Sequence, residues 1–232
     1  MKSMLLLFLA SGFIAITAAS AQNPDGRTGY IADNYTVQEI STDELMGWDM
    51  IGKGQLSPIY KQIYMAEDEG SAGVMLISPA KFGKELVVSY DVMALRPGTV
   101  LVALMSVSNK GDGGLQFEKG YDANMKYLIN AVNTYMIAPL VAPHNRYPFV
   151  NRFPAKDNPL VEADKYYMQP GLYYHIDVGR EKDRIWLAID GEKIIEATDP
   201  DPLGEGHFSF RIRGTANETA SCLIKNVKIY TR

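Results

Sequence analysis

Cysteine is almost missing from this chain. Cys222 is the only one in 232 residues, so no disulfide can form within it. Cys222 falls in a strand pattern and reads as a small core residue. Histidine is scarce as well, with three in all, and no His/Cys spacing suits zinc. There is no Gly-x-Ser-x-Gly elbow, no Cys/His nucleophile pair and no phosphate-cradling glycine loop. Positive charge is not in excess either. The formal net charge is −4, which argues against a nucleic-acid surface, although a local arginine cluster can still hold an acidic glycan. No internal repeat or low-complexity tract is present.

The one long apolar run lies at the N-terminus. Lys2 supplies a positive end, Met4–Ala19 is apolar, and Ala19-Ser-Ala21 is a small-residue cleavage site. That is the layout of a bacterial export signal, residues 1–21, with a mature chain starting at Gln22. The run is too short for a stable membrane span, and no cysteine follows it to carry a lipid. A retained N-terminal anchor is the alternative. The expectation is an exported protein, periplasmic or extracellular, with no membrane span after cleavage. Residues 22–40 read as a polar leader and 41–232 as a single domain, a usual size for an all-β unit.

Past the leader the pattern is short strands with few helices. Trp48–Gly52, Ile59–Met65 and Gly73–Ile77 are separated by glycine, proline and Asp-Glu-Gly turn chemistry. Lys84–Leu95 alternates clearly, placing Leu86, Val88, Tyr90 and Val92 on one face and Val87, Ser89, Asp91 and Met93 on the other. Val100–Ser108 is apolar throughout and reads as a strand covered on both faces. Met125–Ile129 and Asn133–Leu140 read as a further pair. Thr42–Met46 fits one helical turn, capped by Ser41 or Thr42. From Gly171 to Arg232 the chain is a strand–turn–strand series, with Asp190-Gly191 as a tight hairpin turn. Many short, evenly spaced strands predict an all-β sandwich of two antiparallel sheets.

Pro139–Gln169 interrupts this order. It carries Pro139, Pro143, Pro148, Pro154 and Pro159, together with His144, Asn145, Arg146, Tyr147, Asn151, Arg152, Tyr166 and Tyr167. A long connection in a compact domain is usually functional or disordered, and its aromatics favour an ordered loop across one mouth of the sandwich.

Several segments together resemble a known family: Asn133-Thr-Tyr135, Asn151-Arg-Phe-Pro154, Pro170-Gly-Leu-Tyr-Tyr-His-Ile176, Ile185-Trp-Leu-Ala-Ile-Asp-Gly191, Asp199-Pro-Asp-Pro-Leu203, Gly206-His-Phe-Ser-Phe-Arg211 and Ile224-Lys-Asn-Val-Lys-Ile-Tyr230. This order is similar to the concanavalin A-like, LamG-like jelly rolls of the YesU type, secreted bacterial proteins associated with polysaccharide degradation. The resemblance runs from about Trp48 to Arg232. It implies a concanavalin A-like jelly-roll β-sandwich and a polysaccharide or oligosaccharide as partner. Its motifs are structural and carry no reaction.

Three chemistries follow for such a partner. A retaining hydrolase needs paired carboxylates. The one-strand Glu-x-Asp-x-x-Glu string is absent, and Glu162-Ala-Asp164 is followed by Tyr167 where the second glutamate belongs. A uronate lyase needs a carboxylate grip, a base and an acid. Asn145, Arg146, Asn151 and Arg152 offer the grip, His144 or His175 the base, and Tyr135, Tyr147 or Tyr173 the acid. A non-catalytic glycan-binding module needs only aromatic platforms and hydrogen-bonding groups. Trp186 qualifies if it is exposed, since it lies opposite Ile185, Leu187 and Ile189, and Tyr173 and Tyr147 add to it. The other reading is that both tryptophans are core residues. No cofactor is identified. Calcium is a candidate ion, with Asp33, Asp49, Asp112, Asp199 and Asp201 as the oxygen donors at hand, but no spaced loop motif selects among them.

Overall fold

The computed structural model describes residues 31, 34–141, 146–154, 159–215 and 217–232. Its elements, in chain order, are β1 (Thr36–Ile40), α1 (Thr42–Met46), β2 (Asp49–Gly52), β3 (Gly54–Ile59), β4 (Gln62–Glu67), β5 (Val74–Phe82), β6 (Glu85–Ala94), β7 (Thr99–Ser108), α2 (Met125–Ala131), β8 (Asn133–Val141), β9 (Phe149–Phe153), β10 (Val161–Glu162), β11 (Tyr174–Glu181), β12 (Arg184–Ile189), β13 (Glu192–Thr198), β14 (Gly206–Gly214) and β15 (Ser221–Thr231). They form two antiparallel sheets, as the strand pattern predicts. Sheet A has the order β13-β12-β11-β6-β15-β4-β3, with β1 also paired to β15. Sheet B has the order β10-β9-β8-β7-β14-β5-β2.

The alternation in β6 explains how sheet A faces the core. Leu86, Val88, Tyr90 and Val92 join the inter-sheet core, where they meet Leu101, Ala103 and Met105 of β7 and Ile176 and Val178 of β11. Trp48 stacks on Phe210 at 5.9 Å between centroids, and Tyr90 meets Phe210 edge-on at 4.9 Å. Trp48 is therefore core payload. Cys222 is buried in the same core. Burial pushes its thiol up to about 12, so it is inert.

Sheet B is covered on its second face too. Val100, Val102, Leu104 and Val107 of β7 meet Leu128 of α2, with Phe117, Tyr121 and Tyr127 packed around them. Every residue of β7 is accordingly buried. The segment Met125–Ala131 is a helix, not the strand its apolar content suggested. Asn124 caps it by accepting from the Tyr127 N–H at 2.9 Å, and Met125, Leu128 and Ile129 turn one face to the sheet. At α1, Ser41 is the cap, and Glu44 reaches back to the Ser41 N–H at 2.7 Å to complete a capping box.

Three further expectations change. Ile59–Met65 is not one strand, because Tyr60 has φ 55° and turns the chain between β3 and β4. Thr36–Ile40, inside the segment read as leader, pairs with Val227–Thr231 as an edge strand. Pro139–Gln169 is no structureless loop: the end of β8 and all of β9 and β10 lie inside it. Phe149-Val-Asn-Arg-Phe153 alternates between Val150, in the inter-sheet core, and Phe149 and Phe153, under α2. Pro148 and Pro154 stand just outside the strand, where a missing N–H costs nothing.

Candidate functional site

The outer face of sheet A changes character along its strands. One half is closed: Val87, Gly179, Trp186, Ala188 and Tyr230 are buried. The other half opens, and two cross-strand rows line it. The register pairs Tyr64 with Leu223 and Leu223 with Met93, giving a half-buried apolar row across β4, β15 and β6. Two residues further along, Gln62 pairs with Lys225, Lys225 with Asp91 and Asp91 with His175, giving a polar row across β4, β15, β6 and β11.

Around Asp91 and His175 the polar groups interlock. His175 Nδ1 lies 2.7 Å from Asp91 Oδ1, and its Nε2 lies 3.0 Å from Ser89 Oγ and 3.5 Å from Asp177 Oδ1. Ser89 donates its single proton to Asp177 Oδ1 at 2.5 Å. Its oxygen can then only accept from Nε2, and Nδ1 faces a carboxylate. With both ring nitrogens facing acceptors, the geometry favours the imidazolium form of His175. The hydrogen bonds to Asp177 and Asp91 push its pKa up to about 10, outweighing burial. At Asp91, burial works to raise the carboxyl, but the His175 and Asn226 hydrogen bonds and the charges of His175 and Lys225 prevail and hold it below the ordinary carboxylate value. Asn226 donates to Asp91 Oδ2 at 2.6 Å.

The backbone places these groups. Asn226 has φ 54°, and the β6–β15 register shifts between Lys225 and Lys228. That bulge swings the amide of Asn226 over Asp91. His175 is held through its backbone, its N–H donating to Asp190 Oδ1 at 2.8 Å while the Asp190 N–H returns to its carbonyl at 2.8 Å. Asp190 and Gly191 both have positive φ, as the hairpin turn requires. Tyr173 donates its hydroxyl to Gln62 at 2.5 Å, and the Lys225 ammonium sits 4.0 Å from the centre of its ring.

The other predicted residues have different surroundings. Tyr135 is fully buried in the inter-sheet core. Its hydroxyl donates to Asp199 Oδ2 at 2.7 Å and accepts from the Leu203 N–H at 3.0 Å. Burial first, and the Asp199 hydrogen bond second, push its pKa up to about 12. It is a structural pin and not an accessible acid. Arg152 pairs through Nε with Asp199 Oδ2 at 2.9 Å and donates from Nη2 to the Asp201 carbonyl at 2.9 Å, so its charge is already committed. Arg146 lies 3.4 Å from Glu162 and over the Phe149 ring. Tyr147 meets Tyr166 edge-on at 4.8 Å. Asn151 lies on β9, and its Oδ1 is buried without a hydrogen-bond partner. His144 and Asn145 lie outside the described residues.

Trp186 does turn away from the core, but it is fully buried. Its ring lies against Gly179, where any Cβ would collide with it, and Lys193 reaches over it at 5.2 Å. It is no exposed platform. Of the predicted residues, the structure brings His175 and Tyr173 to one open face; Tyr135, Arg152 and Trp186 serve the fold. Ser89, Asp91 and Asp177 were not singled out, and Asn226, expected to serve a neighbouring backbone group, serves the Asp91 side chain instead. Their signal was present: Ser89 and Asp91 fall on the face of β6 opposite its apolar stripe, and His175 and Asp177 alternate the same way on β11.

Among the described residues no group of three or more His, Cys, Asp or Glu side chains is arranged to hold a metal ion. Asp199 and Asp201 are engaged by Arg152, and Asp112 accepts from the Gly114 N–H at 2.9 Å. Asp49 is an exposed residue of β2, and Asp33 lies outside the described residues. No described helix is long and apolar enough to cross a membrane.

No family model matches the sequence, and no curated protein does either. Solved structures do match in fold. A Bacillus subtilis protein of unknown function with a galectin-like fold is 14% identical with a TM-score of 0.69, covering 85% of this chain and 99% of its own. The carbohydrate-binding module CBM66 from Bacillus subtilis is 19% identical with a TM-score of 0.53, covering 78% and 94%. A β-1,3-1,4-glucanase (lichenase) derived from a mouse hindgut metagenome is 14% identical with a TM-score of 0.58, covering 84% and 99%. The two sheets described above are thus a galectin-like, concanavalin A-like jelly roll.

Proposed function

We propose that this protein is exported and binds a polysaccharide or oligosaccharide, without cleaving it, on the open half of the outer face of sheet A. The observation that carries the reading is the adjacency of two rows: Tyr64, Leu223 and Met93 beside Gln62, Lys225, Asp91 and His175. A sugar ring has an apolar C–H face and a rim of hydroxyls, and it needs both kinds of surface side by side. The export signal at residues 1–21 and the similarity of the C-terminal strand series to YesU-type jelly rolls support it. So do two fold neighbours, a carbohydrate-binding module and a glucanase.

A lyase reading has less to stand on. A base must be free to take a proton, and both ring nitrogens of His175 face acceptors, while the other candidate base, His144, lies outside the described residues. Tyr135 is buried, and Arg152 is held by Asp199 and Asp201. The test is isothermal titration of residues 22–232 against a panel of soluble glycans, with the products examined in parallel. At least one glycan is expected to bind and to emerge intact. Met93→Asp and Leu223→Asp should each weaken it by roughly tenfold or more, about 1.4 kcal/mol. Cleavage of a panel glycan, absence of binding throughout, or full affinity in both variants would overturn the reading.

A further inference from the structure

We infer that Tyr173 is the platform of this face, stacking on the C–H face of a bound pyranose, and that Gln62 is the positioning residue that holds its ring. This rests on the glycan-binding reading above and adds which residue meets the sugar and which side of the sugar it meets.

Tyr173 stands just before β11. Tyr174 pairs with Val92 and packs against the inter-sheet core, so Tyr173 takes the outer face, in register with Met93. The chain is fixed there, because Gly171, at φ 86°, donates its N–H to the Ala94 carbonyl at 2.7 Å. From that point the side chain does not stand up into solvent. Its hydroxyl donates to Gln62, the first residue of β4, and β6 and β15 lie between β11 and β4. The phenol is therefore laid along the sheet. It starts in the apolar row and ends in the polar one.

Held by the backbone at one end and by Gln62 at the other, the ring keeps its orientation before a ligand arrives, and the ordering cost of binding falls accordingly. The ammonium of Lys225, which also acts on Asp91, meets one face of the ring 4.0 Å from its centre. Among the described residues no other ring or cation stands against Tyr173, and 37% of the residue is exposed. A tyrosine held in this way offers rigid apolar area at little entropic cost. The C–H face of a pyranose is its complement, and the sugar's rim of hydroxyls falls to the polar row beside it.

The experiment titrates residues 22–232 with cellohexaose, maltohexaose, xylohexaose, mannohexaose and hexagalacturonate and follows whichever binds most tightly. Saturation-transfer NMR on the unaltered protein needs no variant to fold. Irradiation of aromatic protons should reach the C–H protons of one sugar face more strongly than those of the other. Tyr173→Ala should weaken binding by about tenfold or more. Tyr173→Phe keeps the ring but frees its far end, as does Gln62→Met, and each should lose about threefold. The two together should lose no more than either alone, because both break the same hydrogen bond. Equal transfer to both sugar faces overturns the stacking. Full affinity in Tyr173→Ala, with Met93→Asp still weakened, overturns the platform but leaves glycan binding standing. Full affinity in Tyr173→Phe, or losses that multiply in the double variant, overturns the role of Gln62. Binding of none of these glycans removes the glycan-binding reading together with this one.

Discussion

His175 sits with both ring nitrogens against acceptors, and that arrangement makes the stability of the sandwich depend on pH. Its folded pKa, about 10, lies above the ordinary 6.5. The stabilisation is therefore fully present below about 6.5 and is lost as pH rises through 10. Asp91 shifts the other way, so its contribution is present above the ordinary carboxylate range and is lost as pH falls through its lowered value. Urea midpoints of the natural chain and of His175→Gln should thus differ most in the mildly acidic window between these limits and converge by pH 11. Equal midpoints at pH 6 would refute the pairing. Tyr135 gives a second expectation at this scale. Tyr135→Phe removes a hydroxyl that serves Asp199 and the Leu203 N–H at once. Leaving the buried Leu203 N–H without its acceptor, and Asp199 with one donor fewer beside Arg152, should cost about 1–3 kcal/mol in a chemical-denaturation curve. The residue types at these positions were legible in the sequence as candidates. Their roles were not, because a tyrosine that donates to substrate and one that pins a loop are the same residue until the partner is known.

Among the elements, alternation was the dependable guide. β6 and β7 lie where their patterns put them, with the apolar stripe of β6 inward and β7 covered on both faces. Two short segments misled. Met125–Ala131 carries enough apolar residues for a strand, and only the Asn124 cap and the i, i+3, i+4 spacing separate it from one. Phe149–Phe153 was obscured by the prolines on either side of it. At β11 and β12 the fit is close enough to test. Gly179 lies under the Trp186 ring, and a methyl group there would collide with the indole. Gly179→Ala should overpack this corner and lower stability by about 1–3 kcal/mol, seen as a fall in Tm by calorimetry. An unchanged Tm would mean that the ring can move aside at no cost.

For the whole molecule, the N-terminal signal reads as an export address, and its outcome is directly measurable. Expressed in a bacterium with its own leader, the chain should collect outside the cytoplasm with Gln22 as its first residue, read by terminal sequencing of the purified protein. A product retaining Met1 in the cytosolic fraction would refute it. The sequence on its own determined the all-β class, the faces of the long strands and the tight turn at Asp190-Gly191. Each of these follows from contacts between near neighbours: a two-residue period, a β-branched run, a positive φ. Only the tertiary structure decided that Asp91, His175, Asp177 and Asn226 form one cluster. They come from β6, β11 and β15, and their meeting depends on which strands pair, in what register, and on a bulge at Asn226. Strand pairing across 84 residues of chain, as between His175 and Asp91, is set by the closure of a common core. No local pattern encodes that.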